Sequence, residues 1–206
     1  ATTSNTLPSE PADYPGQDAS YGRDAAAKAG TLNKIGGGRA GFDFTKLGPG
    51  GNELPASATD WSCVRDNVTG LIWEVKTDGG GLRDKDNTYT WYHPDSGTNG
   101  GNAGAPNGGS CTGGINCDTL GYTQAVNSQS LCGYNDWRLP WLEELRSIVD
   151  YGTPYPSPTI DTGYFPNTIN GWFWSASPYA NGSGYAWYVN FSSGGDGTYY
   201  YKSSYN

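Results

Sequence analysis

The chain of 206 residues has no methionine, one histidine and few basic side chains. With Met missing even from position 1, the N-terminus reads as a trimmed or mature start. No apolar run approaches the roughly 20 residues that a membrane-spanning helix needs, and no basic-then-apolar leader opens the sequence. His93 leaves a Ser-His-Asp or Cys-His site one candidate base, and no G-x-S-x-G turn presents a nucleophile. Lys and Arg number 12 against 20 Asp and Glu, a net charge of -8. Phosphate backbones and anionic headgroups require a basic footprint, so nucleic acid and anionic membrane are poor partners.

Several other signatures are missing. Asp78, Asp84, Asp86, Asn87 and Asp95 carry hard oxygen ligands but lack the D-x-D-x-D-G order of a calcium loop, so they read as solvated turns. Gly36 to Gly38 and Gly79 to Gly81 lack the lysine of a phosphate-binding loop. Glu143 and Glu144 are adjacent, so on a helix they diverge and suit its N-terminal dipole better than acid/base work. No catalytic group, metal or cofactor is expected.

What is present is glycine, proline and aromatic rings. Gly 32 and Pro 13 imply many loops and little helix, while an aromatic content of 14% implies a core built from a few large rings. The length suits a single domain. Residues 1–60 are expected to form an arm with peripheral strands, and residues 61–206 the body of the domain.

The four cysteines, Cys63, Cys111, Cys117 and Cys132, include neither a C-x2-C pair nor a histidine partner, which points to disulfides in place of zinc. Residues 118–130 resemble a helix capped by Asp118, which would set Cys117 and Cys132 about 22 Å apart. A disulfide needs Cα atoms within about 7 Å. That favours Cys111 with Cys117 and Cys63 with Cys132, and an oxidising, extracytoplasmic compartment.

Further elements are expected at residues 23–29 and 140–149 as helices. Strands are expected at residues 69–75, 171–175, 185–191 and 199–202. Residues 77–116 form a long decorated loop. The terminal stretch is written almost wholly in Tyr, Ser, Gly and Asn, the alphabet of antibody paratopes: rigid amphipathic rings beside adaptable polar groups. Trp187, Val189 and Phe191 alternate within it at strand period and, with Trp174, are expected to anchor a core.

Five motifs carry a resemblance: Trp61-Ser-Cys-Val-Arg-Asp-Asn-Val-Thr-Gly-Leu-Ile-Trp-Glu74, Leu131-Cys-Gly-Tyr-Asn-Asp-Trp-Arg-Leu-Pro140, Glu144-Leu-Arg-Ser-Ile-Val-Asp-Tyr151, Phe173-Trp-Ser-Ala-Ser177 and Ala186-Trp-Tyr-Val-Asn-Phe191. Together they resemble the bacterial domain-of-unknown-function family 1566. The resemblance implies an α+β, C-type-lectin-like fold related to formylglycine-generating-enzyme domains, with two helices packed on small antiparallel sheets. It also implies a closing strand after Asn206. Trp141 stands where many members have Thr or Ser as a helix cap, which alters the expected start of the second helix.

The terminal segment further resembles the variable proteins of diversity-generating retroelements, in which adenine mutagenesis turns Asn codons into codons for Tyr, Ser, Gly, Asp and Thr. On that resemblance, residues 179–206 are a hypervariable face that binds an external ligand, more suitably a protein than a sugar. The implied contact residues are Tyr185, Tyr188, Asn190, Ser192, Ser193, Gly195, Gly197, Thr198, Tyr199, Tyr200, Tyr201, Ser203, Ser204, Tyr205 and Asn206. A fixed-specificity glycan-binding adhesin module is the alternative, and an oxidase of the formylglycine-generating kind would require free thiols.

Overall fold

The computed structural model describes residues 21–205. They form an α+β structure of short elements joined by long loops. A short helix α1 (Arg23–Lys28) is followed by strands β1 (Phe44–Leu47), β2 (Glu53–Leu54), β3 (Cys63–Asp66) and β4 (Ile72–Glu74). Helices α2 (Thr119–Ser128) and α3 (Leu142–Arg146) come next, then β5 (Trp172–Pro178), β6 (Ala186–Asn190) and β7 (Gly195–Gly197). Two antiparallel sheets result, in the orders β2-β1-β3-β4 and β5-β6-β7.

The β3–β4 hairpin follows directly from its turn chemistry. Asp66 accepts hydrogen bonds from Val68 N at 2.9 Å and Thr69 Oγ1 at 2.7 Å, and Gly70 takes the left-handed φ of 77° that closes the turn. The expected strand at 69–75 is thereby shortened to Ile72–Glu74, because residues 67–71 are spent on the turn. Strand β1, expected in a peripheral arm, is instead internal: it is buried along its whole length and pairs with β3 and β2. Residues 1–20 of that expected arm lie outside the described residues.

Asp118 caps α2 through Gly121 N at 2.7 Å. This helix ends two residues earlier than expected, since Ser130 and Cys132 adopt left-handed φ of 48° and 52°. The turn brings Cys132 onto β3, where it bonds to Cys63 with a Cα separation of 6.5 Å. Cys111 and Cys117 form the second disulfide, and no free cysteine remains among the described residues.

Helix α3 is five residues long, against the ten expected. Its start needs no side chain from Trp141: the Glu144 carboxylate accepts from Trp141 N at 2.7 Å and is held by both Arg138 nitrogens at 2.7 Å. Beyond Ser147 the chain turns away, and Asp150 N bonds Thr159 O at 2.9 Å in place of a helical carbonyl.

Three apolar clusters hold these parts together. The largest joins both sheets through Phe44, Val64, Leu145, Ile148, Phe165, Val189 and Phe191. A second surrounds the Cys63–Cys132 bridge with Leu47, Val126 and Leu131. The third consists of Trp91, Trp174, Ala186 and Tyr188 and lies beneath the terminal segment. Trp91 Nε1 donates to Ser175 O at 2.9 Å and Trp174 Nε1 to Tyr89 O at 3.1 Å, so both buried indoles have partners.

Candidate functional site

The terminal segment starts at a turn built by Asn190. Its Oδ1 accepts from Ser192 N at 2.9 Å and Ser192 Oγ at 2.8 Å, and Gly194 N bonds Asn190 O at 2.8 Å, which sends the chain back as β7. Gly194 has φ of 75°, and a Cβ there would approach Val149 Cγ1 to 2.9 Å, so the position requires glycine on two counts. At Gly197 a Cβ would meet the Tyr188 hydroxyl at 2.7 Å.

Residues 199–202 do not form the expected strand. After β7 the chain touches its neighbours through single bridges, Tyr185 with Tyr201 and Thr90 with Tyr205. Backbone bonds fix Lys202 between two segments: its N donates to Gly184 O at 2.8 Å, and its O accepts from Trp91 N at 2.9 Å. A loop held at separate points is free of strand alternation, so three consecutive tyrosines can all reach solvent. Tyr199 is 87% exposed, Tyr200 39% and Tyr201 57%, with Tyr205 at 61%.

The peg under this loop is Lys202, which is buried. Its Nζ donates to Asn99 O and Asn102 O at 2.7 Å each and lies 4.2 Å from the Trp91 ring centre. Burial pulls its pKa below the ordinary lysine value. The ammonium thus ties the glycine-rich loop around Asn99 to the terminal segment. Two tyrosines are braced from below as well. Tyr200 stacks on Trp172 with centroids 4.0 Å apart and planes 4° apart, and Tyr201 stacks on Tyr185 at 4.5 Å.

The other expected contact residues divide into three sets. Ser193, Gly195 and Ser203 are exposed, while Tyr185, Asn190, Ser192, Thr198 and Ser204 are half-buried. Tyr188 and Gly197 are buried, contrary to the surface position expected for them. Tyr188 packs on Trp172 at 5.5 Å and Tyr200 at 5.3 Å, and burial raises its phenol pKa. Trp187, expected as a core anchor, is only half-buried and meets Tyr179 edge-on at 5.6 Å. Tyr188 is buried because β6 is packed on both faces, with Ala186 and Tyr188 against the third cluster and Val189 against the first, so alternation does not separate inside from outside. Asn206 lies outside the described residues.

Sequence reasoning missed Lys202 and Trp172 as supports. Lys202 was detectable as the lone cation of residues 179–206, with Asp196 the lone anion. Nothing in the sequence paired it with Asn99 and Asn102, some 100 positions away.

The acidic loop residues are occupied within their own loops, Asp78 and Asp86 by the Lys85 ammonium at 3.4 and 3.0 Å. Asp84 accepts from Gly79, Gly80 and Asp86 amides, and these bonds, that from Gly80 foremost, hold its pKa below the usual carboxylate value. Asp95 accepts from Gly97 N and Thr98 Oγ1, and the Thr98 hydroxyl also lies 2.7 Å from His93 Nε2. Among the described residues no group of three or more His, Cys, Asp or Glu side chains could hold a metal ion, and no helix is long and apolar enough to cross a membrane.

No curated protein and no solved structure matches the chain. One family model does, that of the Lcl C-terminal domain, and it covers residues 62–206. The matched span takes in the β3–β4 hairpin, both disulfides and the whole tyrosine-bearing loop, more than two thirds of the sequence. The chain therefore belongs to the Lcl C-terminal domain family.

Proposed function

We propose that this protein is a non-catalytic, extracytoplasmic binding module with a C-type-lectin-like fold, whose tyrosine loop captures an external protein ligand. The observation that carries this reading is the run Tyr199, Tyr200 and Tyr201, with Tyr205, exposed on a loop pegged to the scaffold by buried Lys202. Exposed aromatic side chains on a braced loop offer large contact areas with little ordering cost on binding. The small neighbours Ser193, Ser203 and Gly195 leave room around them and supply adaptable polar contacts.

The finer reading, resting on the resemblance to family 1566 and to retroelement variable proteins, is that the exposed residues of this loop differ between gene copies. The buried framework suits it: Ala186, Val189, Phe191 and Lys202 hold the backbone without reaching solvent. Two disulfides fit an oxidising compartment.

The test is a protein ligand selected by display against the wild-type chain, then measured against Tyr199→Ser/Tyr201→Ser/Tyr205→Ser. Binding should fall by more than about a hundredfold, the scale set by losing a few aromatic anchors, with the melting temperature nearly unchanged. Undiminished binding by the triple variant would remove the loop as the recognition surface.

A further inference from the structure

Four Asn-Gly pairs lie in the described chain, Asn99-Gly100, Asn107-Gly108, Asn170-Gly171 and Asn181-Gly182. In such a pair the carboxamide carbon can close a five-membered ring with the next backbone nitrogen, and glycine puts no Cβ in the way. Closure needs two freedoms. The carboxamide must swing onto the nitrogen, and the nitrogen must be released from any acceptor it is bonded to. Hydrogen bonds to either group keep the two apart until a local opening breaks them.

Three of the pairs are held in this way. Asn99 is buried, its Nδ2 donates to His93 O at 3.1 Å, and its Oδ1 accepts from Gly101 N at 2.9 Å. Asn107 Oδ1 accepts from Cys117 N at 2.8 Å, while Gly108 N donates to Thr90 Oγ1 at 3.1 Å. Asn170 Nδ2 donates to Pro156 O, and Gly171 N to Ile169 O at 2.9 Å. Asn181 differs: it is exposed between β5 and β6, and among the described residues no hydrogen bond holds its carboxamide. Gly182 N reaches only Tyr179 O at 3.3 Å, longer than an ordinary hydrogen bond. Exposure alone does not separate the pairs, since Asn107 and Asn170 are exposed too. Their hydrogen bonds do.

The turn that carries Asn181 also seats the tyrosine loop. Tyr179 N bonds Tyr185 O at 3.1 Å and Tyr185 N bonds Gly182 O at 3.0 Å, which closes residues 179–185 into a compact turn. From it Gly184 O accepts Lys202 N at 2.8 Å, and Tyr185 bridges Tyr201 with the two rings stacked 4.5 Å apart. A change in backbone length between Tyr179 and Tyr185 therefore reaches the attachment of residues 201 and 202 directly.

We propose that Asn181 is a site of spontaneous deamidation, and that its isoaspartyl product releases the tyrosine loop from the β5–β6 turn. Gly182 N attacks Asn181 Cγ; the N–Cγ bond forms, the Cγ–Nδ2 bond breaks, and ammonia departs with the proton from Gly182 N. Water then opens the succinimide at one of its two carbonyl carbons. Opening at Cγ gives aspartate with the original chain, and opening at the main-chain carbon gives isoaspartate, whose backbone runs through Cβ and is one carbon longer. Water is the only co-reactant, and nothing is oxidised or reduced. Both products place a carboxylate where the turn had a neutral amide, and the longer one also displaces Gly184 and Tyr185. Neither step depends on what the loop binds.

The test ages the 206-residue protein in mildly alkaline buffer and follows each Asn-Gly peptide by mass spectrometry, with isoaspartyl methyltransferase marking the longer product. Asn181 should convert at least about tenfold faster than the other three, the scale set by the one or two hydrogen bonds that each of those must break first. In urea the four rates should converge. The isoaspartyl form, separated by ion exchange, should exchange its Lys202 amide faster than fresh protein. Asn181→Gln, whose longer side chain closes a larger ring more slowly, should neither convert at that position nor lose Lys202 protection on ageing. Native conversion at Asn181 no faster than at Asn99, Asn107 and Asn170 would overturn the site, and equal Lys202 protection in the isoaspartyl and fresh forms would overturn the release.

Discussion

Tyr188 and Tyr199 have the same side chain and opposite surroundings. Tyr188 lies against Trp172, Trp174 and Tyr200 in the third cluster, and its hydroxyl closes over Gly197. Tyr199 projects into solvent. Tyr188→Ser should therefore cost about 3 kcal/mol in urea unfolding, within the range for removing a large buried ring, whereas Tyr199→Ser should stay within about 0.5 kcal/mol. Equal losses would mean that the loop tyrosines belong to the core. The same contrast shows the reach of sequence at this scale. The alphabet of the segment was legible, but which ring faces inward was not, because β6 is covered on both faces and its period-2 pattern carries no information about solvent.

Among the elements, α3 has a start that depends on charge. Trp141 cannot cap it as a serine would, so Glu144 takes over by accepting Trp141 N, and Arg138 holds the carboxylate in place. Chiefly through the Arg138 hydrogen bonds, the Glu144 pKa is held below its ordinary value of 4.5. A depressed carboxylate pKa adds stability above the unfolded value, and that contribution disappears as pH falls through the lower folded value. Wild type should thus lose more stability than Glu144→Gln on acidification from about pH 5 to about pH 3, a range that runs down through the ordinary glutamate value; parallel acid limbs for the two proteins would refute this role. The cap at Asp118 was legible because its chemistry is local. The lengths of α2 and α3 were not, since each is cut short by a tertiary demand, the bridge to Cys132 and the Asp150 bond to Thr159, while β4 is shortened by the local turn at Asp66, a signal the strand expectation passed over.

At the scale of the whole molecule, the two disulfides do unequal work. Cys63–Cys132 closes a loop of 69 residues and links the first sheet to the turn after α2, while Cys111–Cys117 closes one of six. Chain entropy then predicts losses of about 4 kcal/mol for the Cys63→Ser/Cys132→Ser pair and about 2 kcal/mol for Cys111→Ser/Cys117→Ser. Equilibrium denaturation of the two double variants checks the order, and a reversed order would show that native-state contacts around the small loop outweigh entropy. Both pairings were favoured by spacing, although α2 disfavours only the one connectivity that joins Cys117 to Cys132. The placing of β1 inside a sheet and of Lys202 beneath the loop could not be read in this way, because both depend on partners far along the chain. The molecule as a whole separates a fixed frame from a free surface, and comparing gene copies of this protein across residues 179–206 tests that most directly. The predicted result is substitution concentrated at Ser193, Tyr199, Tyr201, Ser203 and Tyr205, with Ala186, Val189, Phe191 and Lys202 unchanged. Copies identical across the segment, or substituted equally at buried and exposed positions, would contradict it.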